Sequence, residues 1–250
     1  MNLDEEKKII DTIRRCQRNW DLNKSIPKEH IDHWIYIAQH SPSKQDESYF
    51  NLYVITNKEK IKYLLNHTWG HTLEVAPGNF SGKIRNPQVG ANAYFLSTFK
   101  LPDTVRELTT DGKFYDQKGI HYQIRFMNGY TAIGMCMGLI AQSAARLGYK
   151  TGFNVVHGYK GYPDYEAWQK ELGFDDDETI ALGLGIGYPQ EGRKRNEHDE
   201  TKFLIGEYPP TEHSIYDEYI LIDGIKHPTP KIDYILYSVK PKNIKVFRFE

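Results

Sequence analysis

The stretch TAIGMCMGLIAQSAARLG, residues 131–148, decides the fold because two stripes of its side chains both follow the helical period. One stripe is apolar and consists of Ile133, Met137, Ile140, Ala144 and Leu147. The other holds only small residues, Gly134, Gly138, Ala141 and Ala145. Because a face without bulky side chains lets another backbone approach closely, we predict a helix over residues 131–147 that is buried on two sides and capped by Gly148.

Four shorter helices are predicted around this one, and each has a start or a stop signal. They are residues 4–18, a segment from Pro27 that stops before Pro42, a segment capped by Asn57 that carries Ile61, Leu64 and Leu65, and a segment opened by Asp164 and ended by Gly173. Their apolar residues lie on one side of each helix, which favours packing of all four against a common core.

Strands are predicted between the helices, at residues 51–56, 93–98 and 179–187. The last, TIALGLGIG, suits a buried strand whose glycines let another part of the chain come close. Further short strands are predicted at residues 219–222, 234–239 and 244–249, with a tight hairpin turn at Asp223-Gly224. Residues 67–90 are predicted to form a long loop, and residues 100–128 give no clear pattern. This interleaving indicates an α+β or α/β domain over residues 1–195 and a C-terminal extension over residues 196–250.

Charge and composition exclude several classes of protein. The net charge of −1 gives no global attraction for nucleic acid or an anionic membrane. Cys16 and Cys136 are too few for a disulfide framework and lack metal-binding spacing. The N-terminus MNLDEEKKII has no apolar signal core, and no window approaches the roughly 18–20 apolar residues of a membrane span. We therefore expect a soluble, cytoplasmic protein without a nucleic-acid or membrane partner.

Two runs of basic residues are candidate anion sites. Arg14-Arg15-Cys16-Gln17-Arg18 ends the first predicted helix, and Arg193-Lys194-Arg195 follows the glycine-rich strand. Planar guanidinium groups match the oxygens of a phosphate, so the two runs would make a phosphate site if the fold joins them. Taken singly, each run is better explained as a solvated helix end or loop.

Two turns could complete such a site. Ser41-Pro42-Ser43-Lys44-Gln45 connects a helix to a strand, where hydroxyls, main-chain amides and the lysine could hold a polar ligand. The stretch GFNVVHGY, residues 152–159, has glycines that would let main-chain N–H groups around His157 point into a site. The simpler alternatives are a proline-stopped loop with hydroxyl caps and a plain surface histidine.

A metal site is not expected. His67 and His71 have the spacing of a zinc-binding helix, but the segment HTWGH lacks the glutamate that a metalloprotease uses as its base. Gly70 also weakens a helix there. A zinc hydrolase built on His67 and His71 remains one alternative function for this chain.

The order of these pieces resembles the nitroreductase-like flavoprotein family over roughly residues 8–195. The family's Arg-(Arg/His)-Ser-x-(Arg/Lys) segment is matched by residues 14–18. Its Ser-Pro-Ser-Ser-x-Asn-x-Gln-Pro-Trp segment is matched by Ser41-Pro42-Ser43, with Phe50 at the tryptophan position. The small-residue helix resembles the family's central helix at the dimer interface. FNVVHGY resembles the loop whose amides face the flavin N5, and GLGIGYP followed by RKR resembles the closing strand and the basic pair at the FMN phosphate.

The resemblance implies an α+β fold with a central mixed or antiparallel sheet flanked by helices, and a homodimer with FMN at the interface. The implied FMN-binding residues are Arg14, Arg15, Cys16, Arg18, Arg193, Lys194 and Arg195 at the phosphate, Pro42, Ser43, Lys44 and Asp46 along the ring, and the amides of His157 and Gly158 at N5. The implied activity is a ping-pong reaction in which NADH or NADPH reduces an electron-poor nitroaromatic, quinone-like or halogenated small molecule through FMN. No acid–base pair is expected, because the cofactor does the chemistry.

The sequence departs from the family pattern at three places. Cys16 replaces a serine, Asp46 replaces an asparagine, and Ser48-Tyr49-Phe50 replaces Gln-Pro-Trp. A carboxylate at position 46 would disfavour an anionic reduced flavin, so we expect a lowered reduction potential. A flavin-fragmenting or dehalogenating relative and a non-catalytic flavin-binding protein remain alternatives. The candidate lid aromatics are Trp69, Phe80, Phe114 and Tyr115.

Overall fold

The computed structural model describes residues 2–14, 16–18, 20–68, 71–76, 79–84, 86–102, 120–155, 157, 160–189, 218–222 and 225–229. In chain order its elements are α1 (Leu3–Arg14), α2 (Lys28–Gln39), β1 (Phe50–Ile55), α3 (Lys58–Asn66), β2 (His71–Ala76), β3 (Asn79–Ile84), β4 (Ala93–Phe99), α4 (Ile120–Arg146), β5 (Lys150–Asn154), α5 (Pro163–Leu172), β6 (Thr179–Gly187), β7 (Glu218–Ile222) and β8 (Ile225–Thr229).

The centre of the fold is a four-stranded sheet with the spatial order β1-β4-β6-β5. Each neighbouring pair is antiparallel, and Leu96 of β4 lies opposite Tyr53 of β1 and Gly183 of β6. This confirms the expected α+β class and fixes the sheet as antiparallel over the described strands. β1 and β5 are the two edges of the sheet, which decides where the candidate site residues lie.

Helices cover both faces of the sheet. β4 alternates between two hydrophobic clusters, because its odd-numbered residues Ala93 and Phe95 face one side and Tyr94 and Leu96 face the other. The first cluster also contains residues of α2 and α4, and the second contains residues of α3 and α5. All seven residues of β4 are buried. The sheet is therefore the middle of three layers, as a sheet flanked by helices requires.

The long helix α4 begins earlier than the sequence predicted. It covers 27 residues, or about 40 Å at 1.5 Å per residue, and starts at Ile120 instead of position 131. The apolar stripe is buried at Met137 and Ile140, but Leu147 is 43% exposed. The small-residue stripe is only partly covered by the described residues. Ala141 is buried, whereas a Cβ added at Gly134 or Gly138 would meet nothing described within 4 Å beyond the helix's own backbone. The predicted burial of the second stripe is therefore confirmed at Ala141 but not at Gly134, which the described residues leave exposed to solvent.

The first helix ends at Arg14, so the prediction of a helix through residue 18 is wrong. The physical reason is a long-range hydrogen bond, in which Gln17 N donates to Thr151 O of β5 at 2.8 Å. This bond holds residues 16–18 along the outer edge of β5 instead of in another helical turn.

The predicted loop at residues 67–90 instead contains the antiparallel pair β2–β3. The ladder has register shifts on both sides of Glu74, and this irregularity removes the clean alternation by which a strand is predicted from sequence. The predicted strand at residues 219–222 is confirmed as β7, which pairs with β8 so that Ile222 lies opposite Ile225. The predicted turn residues Asp223 and Gly224 lie outside the described residues. The predicted strands at residues 234–239 and 244–249 lie outside the described residues.

The glycines of β6 are required by close approach, as predicted. A Cβ at Gly185 would lie 2.1 Å from the main-chain oxygen of Gln88, and a Cβ at Gly187 would lie 2.0 Å from Asn92 Oδ1. Within the described part of the chain, no helix combines the length and apolar character that crossing a membrane requires.

Candidate functional site

The first group of candidate residues lies at the β5 edge of the sheet. Cys16 is half-buried, and its Sγ donates a weak hydrogen bond to Phe153 O at 3.7 Å. Arg18 Nη1 donates to Cys16 O at 3.2 Å, and Arg14 Nη2 lies 3.9 Å from Asp11 Oδ1. The end of α1 and the segment after it therefore hold two arginines and a thiol beside one edge strand.

Gln88 also bonds to β5 beside this segment, although no sequence motif indicated it. Its side-chain amide donates to Phe153 O, and a Cβ at Gly152 would lie 3.1 Å from Gln88 Cγ and 2.7 Å from Gln17 O. Gly152 is therefore the residue that lets the 16–18 segment and Gln88 both contact β5. In the sequence, Gly152 was the signal that another part of the chain comes close to β5.

His157 is a core residue, so the alternative of a plain surface histidine is wrong. It is 2% exposed, and its ring packs edge-on against Trp168 with the centroids 4.5 Å apart. Burial without a charged partner disfavours the imidazolium and lowers the pKa of His157 to about 3. The imidazole is consequently neutral at physiological pH.

The hydrogen bonds around Tyr94 determine which nitrogen of His157 carries the proton. Tyr94 Oη donates its one hydrogen to Asn154 Oδ1 at 2.8 Å, and it also lies 2.8 Å from His157 Nε2. Because the tyrosine hydrogen is already used, His157 Nε2–H must donate to Tyr94 Oη. This buried network of Tyr94, Asn154 and His157 joins β4, the end of β5 and the segment that follows it.

The second group of candidate residues lies at the opposite edge, between α2 and β1. Ser41 Oγ donates to Ala38 O at 2.9 Å and extends the end of α2. A short 3-10 turn follows at Lys44–Asp46, with Ser43 as its N-cap. Asp46 has a φ of +57°, a left-handed conformation that asparagine and aspartate tolerate better than most residues. Pro42, Lys44 and Asp46 are exposed.

A cleft of about 440 Å³ opens beside this turn. Its walls come from the C-terminal half of α2, the residues of the turn and the outer side of β1. The lining includes Ala38, Ser43, Asp46, Glu47, Phe50 and Leu52. The volume lies within the range of small-molecule sites, and the lining combines apolar side chains with a few polar groups, as such sites do.

An ion pair fastens this turn to α4. Glu47 pairs with Arg125 and also accepts a hydrogen bond from Tyr49, which is fully buried. Burial acts to raise the pKa of Glu47, but the hydrogen bonds from Arg125 and Tyr49 outweigh it and hold that pKa below its usual value. Ser48-Tyr49-Phe50 stands where the family pattern has Gln-Pro-Trp. Of these residues, Tyr49 is buried in the core and Phe50 lines the cleft.

The structure does not bring the two groups together within one chain. They lie beside β5 and β1, the two edge strands of a four-stranded sheet, and three strand spacings separate these edges by about 14 Å. The strands between them are filled by buried side chains such as Phe95 and Leu184, so no ligand could pass through the sheet. Of the other candidates, Arg15, Gly158, Arg193, Lys194 and Arg195 lie outside the described residues.

The remaining candidates give no second site in the described part of the chain. His67 Nδ1 bonds to Tyr63 O at 2.9 Å at the end of α3, and no group of three His, Cys, Asp or Glu residues there could hold a metal ion. Of the candidate lid aromatics, Trp69, Phe114 and Tyr115 lie outside the described residues, and Phe80 belongs to β3.

Comparison with known proteins gives matches over most of this chain. The family model described as Nitroreductase family matches residues 12–188. A solved nitroreductase-like protein from Streptococcus mutans is 20% identical with a TM-score of 0.54, over 80% of this chain and 97% of that chain. NfrA2 from B. megaterium is 18% identical with a TM-score of 0.55, over 86% of this chain and 77% of that chain. These structures show a shared fold, and no curated protein matches.

Proposed function

Because the chain belongs to the nitroreductase family, we propose that it is an FMN-dependent oxidoreductase that works as a homodimer. The observation that carries the proposal is the division of the candidate site between the β5 edge and the β1 edge of the sheet. Two half-sites that cannot meet within one chain would meet if a second copy brings its β1 edge to the β5 edge of the first. FMN would then lie at the interface between the two copies.

The β5 edge would hold the phosphate. Arg14 and Arg18 are half-buried there, so both positive charges are held close to the β5 edge. Arg15, Arg193, Lys194 and Arg195 are proposed to complete the site. Charge-assisted hydrogen bonds of this kind contribute about 1.5–3 kcal/mol each, and several of them suit a dianionic phosphate.

The β1 edge would hold the flavin ring. The cleft beside the 3-10 turn has the size and the mixed lining that a planar aromatic ligand needs. Pro42, Ser43 and Lys44 would lie along the ring, and Asp46 would place a carboxylate close to it. The main-chain amides of His157 and Gly158 would meet N5 from the other chain, where an N–H donor favours uptake of electrons.

The exposed face of α4 supports the proposed dimer. Gly134 and Gly138 leave a face on which a second helix could approach closely, and Met135 and Leu139 beside them are 38% and 40% exposed. Exposed apolar side chains along a helix of about 40 Å indicate a surface that another protein covers. A second copy of α4 packed there would cover Gly134 and Gly138, which the described residues leave open.

FMN, when bound, would supply the redox chemistry by receiving a hydride from NADH or NADPH and then reducing an electron-poor nitroaromatic, quinone-like or halogenated molecule in a ping-pong order. The residues of the chain would bind and orient the cofactor, and none of them is proposed as an acid or base.

The test is spectroscopic. We expect the purified protein to be yellow or to bind added FMN, to bleach with NADH or NADPH, and to regain colour with a nitroaromatic or a quinone. Arg14→Ala should weaken FMN binding by about tenfold or more, because it removes a charge-assisted phosphate contact. A protein that does not bind FMN would overturn the proposal. Binding without bleaching would support a non-catalytic flavin-binding protein, and loss of the flavin itself would support a flavin-fragmenting relative.

A further inference from the structure

His157 has a buried side chain that the proposed flavin site does not use. Its imidazole points into the core, whereas the proposed function needs only its main-chain N–H. We infer that His157 is a positioning residue, whose side chain is bonded to Tyr94 and thereby fixes its own main-chain N–H where it would meet flavin N5. This inference rests on the proposed function, because it concerns the same site.

The path of the chain shows where an anchor is needed. Asn154, the last residue of β5, is 7% exposed, and Val155 after it is 67% exposed. His157 is buried again, and Lys160 is exposed. Of the described residues from 155 to 160, His157 is therefore the one that holds this segment to the core.

The far end of the segment is attached to other elements. Lys160 Nζ donates to Asp176 O at 2.7 Å, and Gly161 N donates to Glu166 Oε1 of α5 at 2.9 Å. The near end is the last residue of an edge strand. Between these two ends, the His157 side chain fixes the main chain at position 157.

Histidine suits this anchor better than a purely apolar residue. Tyr94 Oη gives its hydrogen to Asn154 Oδ1 and still needs a donor in a buried environment, and His157 Nε2–H supplies it. The ring also packs edge-on against Trp168. The anchor thus joins three elements, β4 through Tyr94, β5 through Asn154 and α5 through Trp168.

Two substitutions remove the same hydrogen bond from its two sides. His157→Phe keeps a ring against Trp168 but loses the N–H donor, and Tyr94→Phe keeps the ring but loses the acceptor oxygen. Tyr165→Phe is the matched control, because Tyr165 belongs to the same core cluster and its buried hydroxyl bonds to Glu178 O at 3.3 Å. His157→Phe loses one buried hydrogen bond, whereas Tyr94→Phe and Tyr165→Phe each lose two. Tyr165→Phe therefore matches Tyr94→Phe in the number of bonds lost, and it does not touch the anchor.

The measurement is the midpoint potential of bound FMN, together with hydrogen exchange of residues 155–160 before FMN is added. We expect His157→Phe and Tyr94→Phe each to disfavour reduction by about tenfold, which corresponds to about 30 mV for two electrons. The double variant should show no more than Tyr94→Phe, because the bond that His157→Phe breaks is already absent in Tyr94→Phe. Exchange in residues 155–160 should become faster in both, and Tyr165→Phe should match the parent in both readouts.

The outcomes separate this inference from the proposed function. Normal FMN binding with unchanged potentials in both variants would overturn the inference alone. An equal change in Tyr165→Phe would also overturn it, because general loosening of the core would then explain the effect. If His157→Phe does not fold, Tyr94→Phe carries the test by itself. Failure of the parent protein to bind FMN would overturn the proposed function and this inference with it.

Discussion

A Cβ atom at Gly183 would lie 1.8 Å from Tyr94 Oη, so the tyrosine hydroxyl occupies the space that any other residue at position 183 would fill. Gly183 belongs to β6, and Tyr94 lies in the neighbouring strand β4. The absent side chain is what allows Tyr94 Oη to reach Asn154 and His157. A glycine in a strand interior thus makes room for a buried hydrogen-bond network.

We therefore expect Gly183→Ala to destabilise the fold by about 3 kcal/mol, the upper end of the cost of overpacking a core. Thermal or urea unfolding measures the change. Gly90→Ala is the control, because its nearest contact would be the flexible end of Leu65 at 3.3 Å, and its effect should stay below about 1 kcal/mol. Equal stability of the Gly183→Ala variant and the parent would contradict the packing described for Tyr94.

The low pKa of His157 makes stability depend on pH in a defined direction. The pKa falls from 6.5 in the unfolded chain to about 3 in the fold, because burial disfavours the charged ring. Between these values the unfolded chain binds a proton that the folded chain does not, so the free energy of unfolding decreases as the pH falls through this window. Above about pH 6.5 His157 is neutral in both the folded and the unfolded chain, so its burial no longer lowers the free energy of unfolding.

Urea unfolding near pH 7 and near pH 5 tests this dependence. We expect the parent to lose about 2 kcal/mol more than His157→Phe between these conditions, since each unit of pH contributes up to about 1.4 kcal/mol. His33→Phe, at an exposed position of α2, should lose as much as the parent. Parallel curves for the parent and His157→Phe would show that His157 is not buried as a neutral group.

Local signals predicted several elements of this fold correctly. Asn57 accepts a hydrogen bond from Lys60 N at the start of α3, and Gly173 ends α5 with a φ of +69°. Caps and left-handed positions depend on a few neighbouring residues, so the sequence contains the necessary information. The strand at Thr179–Gly187 was predicted with its bounds for a similar reason, because its apolar run is bounded on both sides.

Long-range contacts explain what the sequence could not predict. The end of α1 depends on the bond from Gln17 N to Thr151 O, and the burial of His157 depends on Tyr94 and Trp168. The residue types of the candidate site were predicted, but their division between two sheet edges follows from the order β1-β4-β6-β5. That order is determined by pairing between strands far apart in the sequence, which no local pattern contains.

The open face of α4 predicts which substitution separates the proposed dimer. Gly134→Leu adds a large side chain where a second helix would approach, and apart from the backbone of α4 no described residue lies within 4 Å of the new Cβ. We expect the variant to sediment as a monomer and to lose FMN affinity by at least about tenfold, although Gly134 belongs to neither half-site. This loss would follow because both half-sites would be needed for one ligand.

The control for this experiment is Glu59→Leu. Its side chain is 84% exposed on α3, which covers the other face of the sheet. This variant adds the same apolar side chain and should keep both the assembly state and the FMN affinity of the parent. If the Gly134→Leu monomer does not fold, a melting temperature of the parent that rises with protein concentration gives the same information. A Gly134→Leu dimer with normal FMN affinity would refute the proposed interface.

Asp46 gives the prediction that bears most directly on the reduction potential. Its side chain is exposed and lines the cleft at the β1 edge, so in the proposed complex a carboxylate would lie near the flavin ring. A negative charge there opposes the electron density that the ring gains on reduction. Asp46→Asn should therefore favour reduction by about tenfold, or about 30 mV for two electrons. Asparagine also tolerates the left-handed backbone at this position, so the turn should keep its shape.

The potential of bound FMN in Asp46→Asn is compared with that in Asp32→Asn. Asp32 is exposed on α2, pairs with Lys28 and does not line the cleft, so its replacement removes an equal charge at another place. An increase in Asp46→Asn alone would support a ring site beside the 3-10 turn. Equal potentials in the parent and both variants would show that the carboxylate of Asp46 does not lie near the ring. The proposal that the cleft at the β1 edge holds the flavin ring would then be wrong.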